Sequence, residues 1–148
     1  MKSQPTNPEQ TSASNASKRT RAEARVSVKN SEAKVYDGSA TPVLKDITIN
    51  ETFAGDIEGD SLVHALQVFN EDHSANMVSM QRFRGKIGNK RGTFILQGSE
   101  KIHNGKIEAT WFVVPGSATD ELTGLRGEGG FSGEFGKGST GFLDYWFE

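Results

Sequence analysis

Hydrophobic and polar residues alternate with a period of two along most of the chain beyond residue 21. Ala24, Val26 and Val28, for example, are separated by charged or polar residues, which is typical of a strand with one buried face. The same pattern predicts further strands within Ile47–Phe53, Leu62–Phe69, Met77–Phe83, Thr93–Gln97, Lys106–Val114 and Gly141–Glu148. Strand is therefore the dominant predicted element, and helix is limited to short segments.

Turn signals separate the predicted strands. Asn70–His73 forms an acidic turn, Gly85–Gly92 a turn-rich loop, and Asn104-Gly105 a strong hairpin signal. About seven or eight strands at roughly ten-residue spacing predict an all-β domain, either a closed antiparallel barrel or a sandwich. Closure is favoured because it removes strand edges that would otherwise pair with other chains.

The first 21 residues contain only three apolar side chains, those of Met1, Ala13 and Ala16. These are too few to offset the entropy of ordering the segment, so residues 1–21 are predicted to be a disordered tail and residues 22–148 a single domain. The tail lacks the apolar stretch of about 7–15 residues that a signal peptide needs, and no apolar run reaches the roughly 20 residues that cross a bilayer. A cytoplasmic protein without a membrane partner is expected.

Composition excludes several kinds of chemistry. The chain has no cysteine, which rules out disulfides, thiolate nucleophiles and cysteine-based metal centres. His64, His73 and His103 are widely spaced and show no metal-ligand pairing, so neither a metal site nor a cofactor is predicted. The net charge of −2, from 17 basic and 19 acidic residues, provides no overall attraction to nucleic acid.

Two motifs point to phosphate-bearing partners, but each has a simpler interpretation. Gly136–Gly141 matches G-x-G-x-x-G, yet too few residues follow it to build the helix that a dinucleotide site needs, and a hairpin loop explains its glycines. The segment from Arg82 to Arg91 carries five basic residues and Phe83, a combination that could hold phosphates. A solvated, charged hairpin is favoured over binding to RNA or DNA.

The most informative residues are polar ones that share a strand face with apolar ones, because burying an unpaired charge is costly. Glu51 lies between Ile49 and Phe53, so it is either paired or faces a wet cavity. Arg126 and Glu128 project from one side of a strand, where a structural ion pair is favoured over a ligand site. The candidate ligand-binding residues are Glu51, Gln97, Trp111, Arg126, Glu128 and Tyr145. No spacing supports a catalytic triad or dyad, so no catalytic residue is assigned.

Several motifs, in order along the chain, resemble an uncharacterised bacterial family of domains of unknown function. They are TFAGDIEG (52–59), GTFILQ (92–97), TWFVVPGS (110–117), LTGLRGEGGF (122–131) and LDY (143–145). Known structures of that family are small β-barrels related to allene oxide cyclase. The family typically continues Leu-Gln-His-Ser-Gly, whereas this chain reads Leu96-Gln97-Gly98-Ser99-Glu100. Chemistry that depends on a histidine there is therefore not carried over.

The resemblance implies an eight-stranded antiparallel barrel with a central cavity and assembly into homo-oligomers. The leading hypothesis is a barrel that binds a small, largely apolar ligand with an oxygen-containing group, as a binding protein or as a cyclase-like or isomerase-like enzyme. Glu51 or the Arg126–Glu128 pair would hold the polar group, and Trp111 and Tyr145 would form the wall. The alternative is a structural or oligomeric interaction module whose lumen is filled by side chains, and the volume of the lumen separates the two.

Overall fold

In the computed structural model, which describes residues 18–134 and 136–148, eight antiparallel strands pair in sequence order and the last closes on the first. The strands are β1 (Thr20–Asp37), β2 (Leu44–Gly55), β3 (Ile57–Phe69), β4 (Ala75–Ile87), β5 (Lys90–His103), β6 (Lys106–Val113), β7 (Leu125–Glu134) and β8 (Ser139–Phe147). A turn of 3-10 helix, Asp120–Leu122, precedes β7. The predicted eight-stranded barrel is confirmed, and the sandwich is excluded because the sheet closes.

The N-terminal boundary of the barrel lies slightly earlier than predicted. Thr20 and Arg21 already belong to β1, where they pair with Tyr145 and Asp144 of β8. The rest of the predicted tail, residues 1–17, lies outside the described residues.

Alternation of side chains across the barrel wall follows the predicted period of two. In β4, buried and exposed residues alternate from Ala75 to Arg84, and in β6 Trp111 and Val113 are buried while Phe112 is exposed.

Gly59 and Gly85 face each other on β3 and β4, where a Cβ on either would clash with the backbone of the other strand and with the ring of Phe83. The strands approach closely there because neither residue has a side chain.

Two hairpins use two-residue turns. Asn104 and Gly105 join β5 to β6 with φ angles of 54° and 75°, the left-handed conformation that this type of turn requires. The link between β4 and β5 is shorter than the predicted loop at Gly85–Gly92, because cross-strand pairing continues to Ile87 and Lys90 and leaves only Gly88-Asn89 as the turn.

The distal part of β1 departs from the prediction. Pairing between β1 and β8 ends at Val26, whereas β1 and β2 stay paired as far as Asp37 and Leu44. Beyond Val26, β1 is therefore paired on one side only, with β2, which itself stays paired with β3 as far as Leu44 and Val68. For this reason Val28, predicted to share a buried face with Val26, is 60% exposed.

Side-chain size divides the lumen into two ends. At one end, here called the packed end, Phe83 contacts Phe53 and Phe94 with ring centroids 5.3 and 4.9 Å apart, and Leu122 of the 3-10 turn is fully buried beside them. The other end, here called the open end, has a smaller apolar cluster of Ile47, Ala65, Ala75, Met77 and Ile102. The packed end is a solid aromatic core, and the open end carries the candidate site.

Candidate functional site

A cavity of about 430 Å³ occupies the open end of the barrel. Most of its wall is apolar, and it is built from inward-facing residues of several strands because alternate positions of each strand point into the lumen. The apolar wall includes Ile47, Ile49, Val63, Met77, Ile102 and Ile107. The volume falls within the range of about 300–1,000 Å³ that is usual for small-molecule sites.

The floor of the cavity is a polar layer between the two apolar clusters. It consists of Glu51 on β2, Ser61 on β3, Ser79 and Gln81 on β4, and Glu100 on β5. The Ser61 hydroxyl donates a hydrogen bond to Gln81 Oε1 over 2.8 Å, and the Ser79 hydroxyl donates to Glu100 Oε2 over 2.6 Å. Glu100 is only 5% exposed, yet its Oε1 atom has no hydrogen-bond partner among the described residues.

Both carboxyl groups of this layer have a raised pKa. Burial raises the pKa of Glu51 to about 7, and the negative charge of Glu100 acts in the same direction, while the hydroxyl of Ser61, its cross-strand neighbour, acts against both. Burial likewise raises the pKa of Glu100, opposed by the hydrogen bond from Ser79. With a pKa of about 7, Glu51 changes its protonation state near neutral pH.

Gly98 makes room for the Glu100 carboxylate. Both residues face the lumen from β5, and a Cβ at position 98 would clash with Glu100 Oε2 and with the hydroxyl of Ser79. The glycine thus permits the hydrogen bond between Ser79 and Glu100. The requirement for glycine here is steric rather than conformational, since the φ angle of Gly98 is not in the left-handed region.

Only Glu51 among the six candidate residues lines the cavity. Trp111 points inward but lies at the packed end, where its Nε1 donates to the Phe142 carbonyl over 2.9 Å and its ring centroid is 5.1 Å from that of Phe131. Tyr145 is partly buried against the same core. The prediction that Trp111 and Tyr145 form the cavity wall is wrong, because neither lines the cavity and both pack into the apolar cluster of the packed end.

The other three candidates lie on the outer surface. Gln97 is exposed between inward-facing neighbours on β5. Arg126 and Glu128 do project from the same side of β7, but that side is the exterior, since Leu125 and Gly127 occupy the inward positions. The predicted pair between them is wrong: Arg126 bonds to Glu148 and Glu128 to Arg19, each over 2.9 Å.

Glu100 was missed in the sequence because the predicted strand ended at Gln97. β5 in fact continues to His103, which places Leu96, Gly98, Glu100 and Ile102 on one face. A carboxylate between a glycine and an isoleucine at period-two spacing is the same signal that identified Glu51. Extending the alternation across Gly98 would have found it.

The five basic side chains between Arg82 and Arg91 lie on the exterior around the β4–β5 hairpin, whereas Phe83 is buried in the packed end. Lys86 Nζ lies 3.5 Å from Glu58 Oε1, and Lys90 Nζ lies 4.7 Å from the ring centroid of Phe147. Acidic and aromatic neighbours thus share this surface, and the expectation that the protein does not bind nucleic acid stays a prediction.

Two other features are absent from residues 18–134 and 136–148. These residues contain no group of three or more His, Cys, Asp or Glu side chains that could hold a metal ion. No helix in the same part of the chain is long and apolar enough to span a membrane.

Comparisons with known proteins place this site in a family context. A solved structure of a protein of unknown function from the DUF3224 family of Shewanella oneidensis MR-1 matches with a TM-score of 0.74 and 28% sequence identity, over 88% of this chain and 98% of that chain. No curated protein matches. A family model described as "Protein of unknown function (DUF3224)" matches residues 21–148, which confirms the resemblance to a domain-of-unknown-function family. Because that match covers nearly the whole barrel, the chain belongs to the DUF3224 family.

Proposed function

We propose that the barrel binds a small, largely apolar molecule in the cavity at its open end, with the polar group of that molecule against Glu51 and Glu100. The observation that carries this proposal is the buried, unpartnered Oε1 of Glu100 at the floor of an apolar cavity of about 430 Å³. A buried polar atom without a partner costs roughly 1–3 kcal/mol. A ligand that bonds to this oxygen would recover that free energy.

The alternative of a structural module with a filled lumen is less well supported. Side chains do fill the packed end, but a cavity of about 430 Å³ remains at the open end. Replacing buried ionisable groups by apolar ones is often neutral or stabilising, so a purely structural barrel gains nothing from two carboxyl groups in its interior.

A second candidate function is proton transfer on the bound molecule, as in an isomerase. Its support is the pKa of Glu51, which at about 7 lets this carboxyl both donate and accept a proton at neutral pH. No feature of the described residues specifically favours cyclisation over isomerisation.

Mass spectrometry of the native protein tests the binding function. We expect the wild-type chain to retain a small molecule that dissociates on denaturation. Ile49→Trp places an indole in the cavity and should abolish retention, whereas Leu62→Trp, at a 54% exposed position on the exterior of β3, should leave it unchanged. Equal retention by both variants would contradict a binding site in the lumen.

Solvent isotope exchange tests the catalytic candidate separately. The retained molecule is incubated with the protein in D₂O, and its mass is then measured by mass spectrometry. Proton transfer predicts deuterium on carbon with the wild-type chain and none with Glu51→Gln. If the molecule is retained but gains no deuterium, the protein binds it without transferring protons, and the isomerase hypothesis is wrong.

Homo-oligomer formation, which the sequence resemblance implied, stays a prediction. Apolar side chains on the outer faces of β3 and β4, namely Leu62, Leu66, Val78 and Met80, are each at least 45% exposed. Sedimentation of the purified protein measures the oligomeric state directly.

A further inference from the structure

We infer that the polar group recognised in the cavity is an organic cation, a protonated amine carried on an apolar body. This inference rests on the proposed function, since it specifies the chemical class of the molecule held in the same cavity. It is carried by the charge and hydrogen-bond balance of the polar layer and of the wall around it.

Hydrogen-bond acceptors outnumber donors at the floor of the cavity. The acceptors are the carboxyl oxygens of Glu51 and Glu100 and Oε1 of Gln81; the donors are the Gln81 amide N–H groups and the hydroxyls of Ser61 and Ser79, whose protons are already used on Gln81 and Glu100. An ammonium group has three N–H donors and no acceptor. It therefore supplies what this layer lacks.

The charge balance points the same way. The titratable side chains that line the cavity are Glu51, Glu100 and, at its rim, Glu134; the described lining includes no Lys, Arg or His. The Ser79 hydroxyl donates to Glu100 Oε2 over 2.6 Å, a hydrogen bond that favours the ionised form of this carboxyl. Ionised Glu100 has no counter-charge in the described lining, and such a buried charge is costly unless a cation joins it.

Other ligand classes fit this layer less well. A ligand carboxylate would add a negative charge beside Glu100 with no basic group to receive it. Arg126, which the sequence suggested as an anchor for such a group, lies on the exterior and bonds to Glu148. A metal ion such as Ca²⁺ takes six to eight oxygen ligands, which a largely apolar wall does not provide. An alkylammonium places its charge on the floor and its hydrocarbon against the wall.

Probes with one tail and different head groups test the inference. Binding of hexyl, octyl and decyl chains, each as the amine, the alcohol and the carboxylate, is measured by isothermal titration calorimetry on the full chain at neutral pH. Hydrogen bonds to charged groups contribute about 1.5–3 kcal/mol, so we expect the best amine to bind about 10- to 100-fold more tightly than its alcohol. The carboxylate should bind more weakly than the alcohol.

Variants then locate the charge that selects the amine. Glu100→Gln should weaken amine binding at least about tenfold and leave alcohol binding nearly unchanged. Glu128→Gln, an equivalent change on the exterior, is the control and should alter neither. Amine affinity should also rise between about pH 5.5 and 8 as Glu51 loses its proton, and Glu51→Gln should flatten that rise.

Two kinds of result would contradict the inference. If an alcohol or a carboxylate binds as tightly as its amine, or if Glu100→Gln affects all three head groups equally, the cation inference is wrong while binding in the lumen stands. If no probe binds and the native protein retains no molecule, both the inference and the proposed function are wrong.

Discussion

The two ends of this barrel are built by the same eight strands but carry different side chains towards the lumen. At the packed end Phe53, Phe83, Phe94 and Trp111 fill the interior, and Leu122 lies among them without exposed surface. At the open end the inward side chains are mostly aliphatic or small, and a cavity of about 430 Å³ remains. The comparison teaches that side-chain volume, rather than strand number alone, decides whether a small barrel is solid or hollow.

The two ends also differ in what their inward groups do to stability. Burial of large apolar side chains at the packed end stabilises the fold in proportion to the area removed from water. The polar layer at the open end instead holds two carboxyl groups whose burial opposes ionisation. Removing a large apolar side chain from the packed end should therefore destabilise the protein, whereas removing the charge of Glu51 from the open end should stabilise it.

Trp111→Ala should be the most damaging change, destabilising the protein by about 3–5 kcal/mol. The indole stacks on Phe53 with ring centroids 6.1 Å apart and donates to the Phe142 carbonyl, so its removal leaves both a cavity and an unsatisfied carbonyl oxygen. Denaturant melts measure the change. The neighbouring Phe112→Ala, at a 41% exposed position, is the control. Similar small losses for both would mean that the packed end is not the stabilising core.

Glu51→Gln should stabilise the protein, and by an amount that depends on pH. The folded chain keeps a proton on Glu51 up to about pH 7, whereas the unfolded chain loses it near its ordinary pKa of 4.5. The free energy of unfolding of the wild type therefore falls as pH rises from about 4.5 to 7. We expect the variant to be more stable by about 2–3 kcal/mol at pH 8 and to match the wild type near pH 4.

Urea melts at several pH values measure this difference, with Glu128→Gln as the exterior control. A constant difference between Glu51→Gln and the wild type across that pH range would contradict the raised pKa of Glu51.

Gly98→Ala should cost about 1–2 kcal/mol, because its Cβ displaces the carboxylate that Ser79 holds. A double-mutant cycle with Ser79→Ala identifies the cause. If loss of this hydrogen bond is responsible, the double variant should be little less stable than either single one. Additive losses would show that Gly98 acts on something other than the bond between Ser79 and Glu100.

Arg126→Gln and Glu128→Gln should have the smallest effects, at most about 0.5 kcal/mol each, since both residues form surface ion pairs. Thermal melts at low and high salt should show that even this loss fades as ions screen the pairs. A loss above about 2 kcal/mol for either variant would indicate that the pair is more deeply buried than the structure places it.

Most of the fold could be predicted from the sequence, because strands and turns carry local signals. Asn104-Gly105 marked a hairpin through its turn chemistry, and the alternation around Ile47–Phe53 marked a half-buried strand. The extension of β1 beyond Val26 could not be predicted, since its exposed residues have no buried face to produce a pattern. Strand length was likewise underestimated where a glycine interrupts the alternation, as at Gly98 in β5.

The sequence by itself determined the class of fold, the alternation of each strand, the hairpin turns and the presence of a carboxylate on the apolar face of β2. Those features depend on near neighbours in the chain, and period-two spacing records them directly. Only the tertiary structure decided which face of each strand points inward, and so placed Glu51 inside and the pair Arg126 and Glu128 outside. It also decided that Glu51 and Glu100 share one polar layer. They lie on non-adjacent strands, and closure of the barrel is what brings such distant residues to the same level of the lumen.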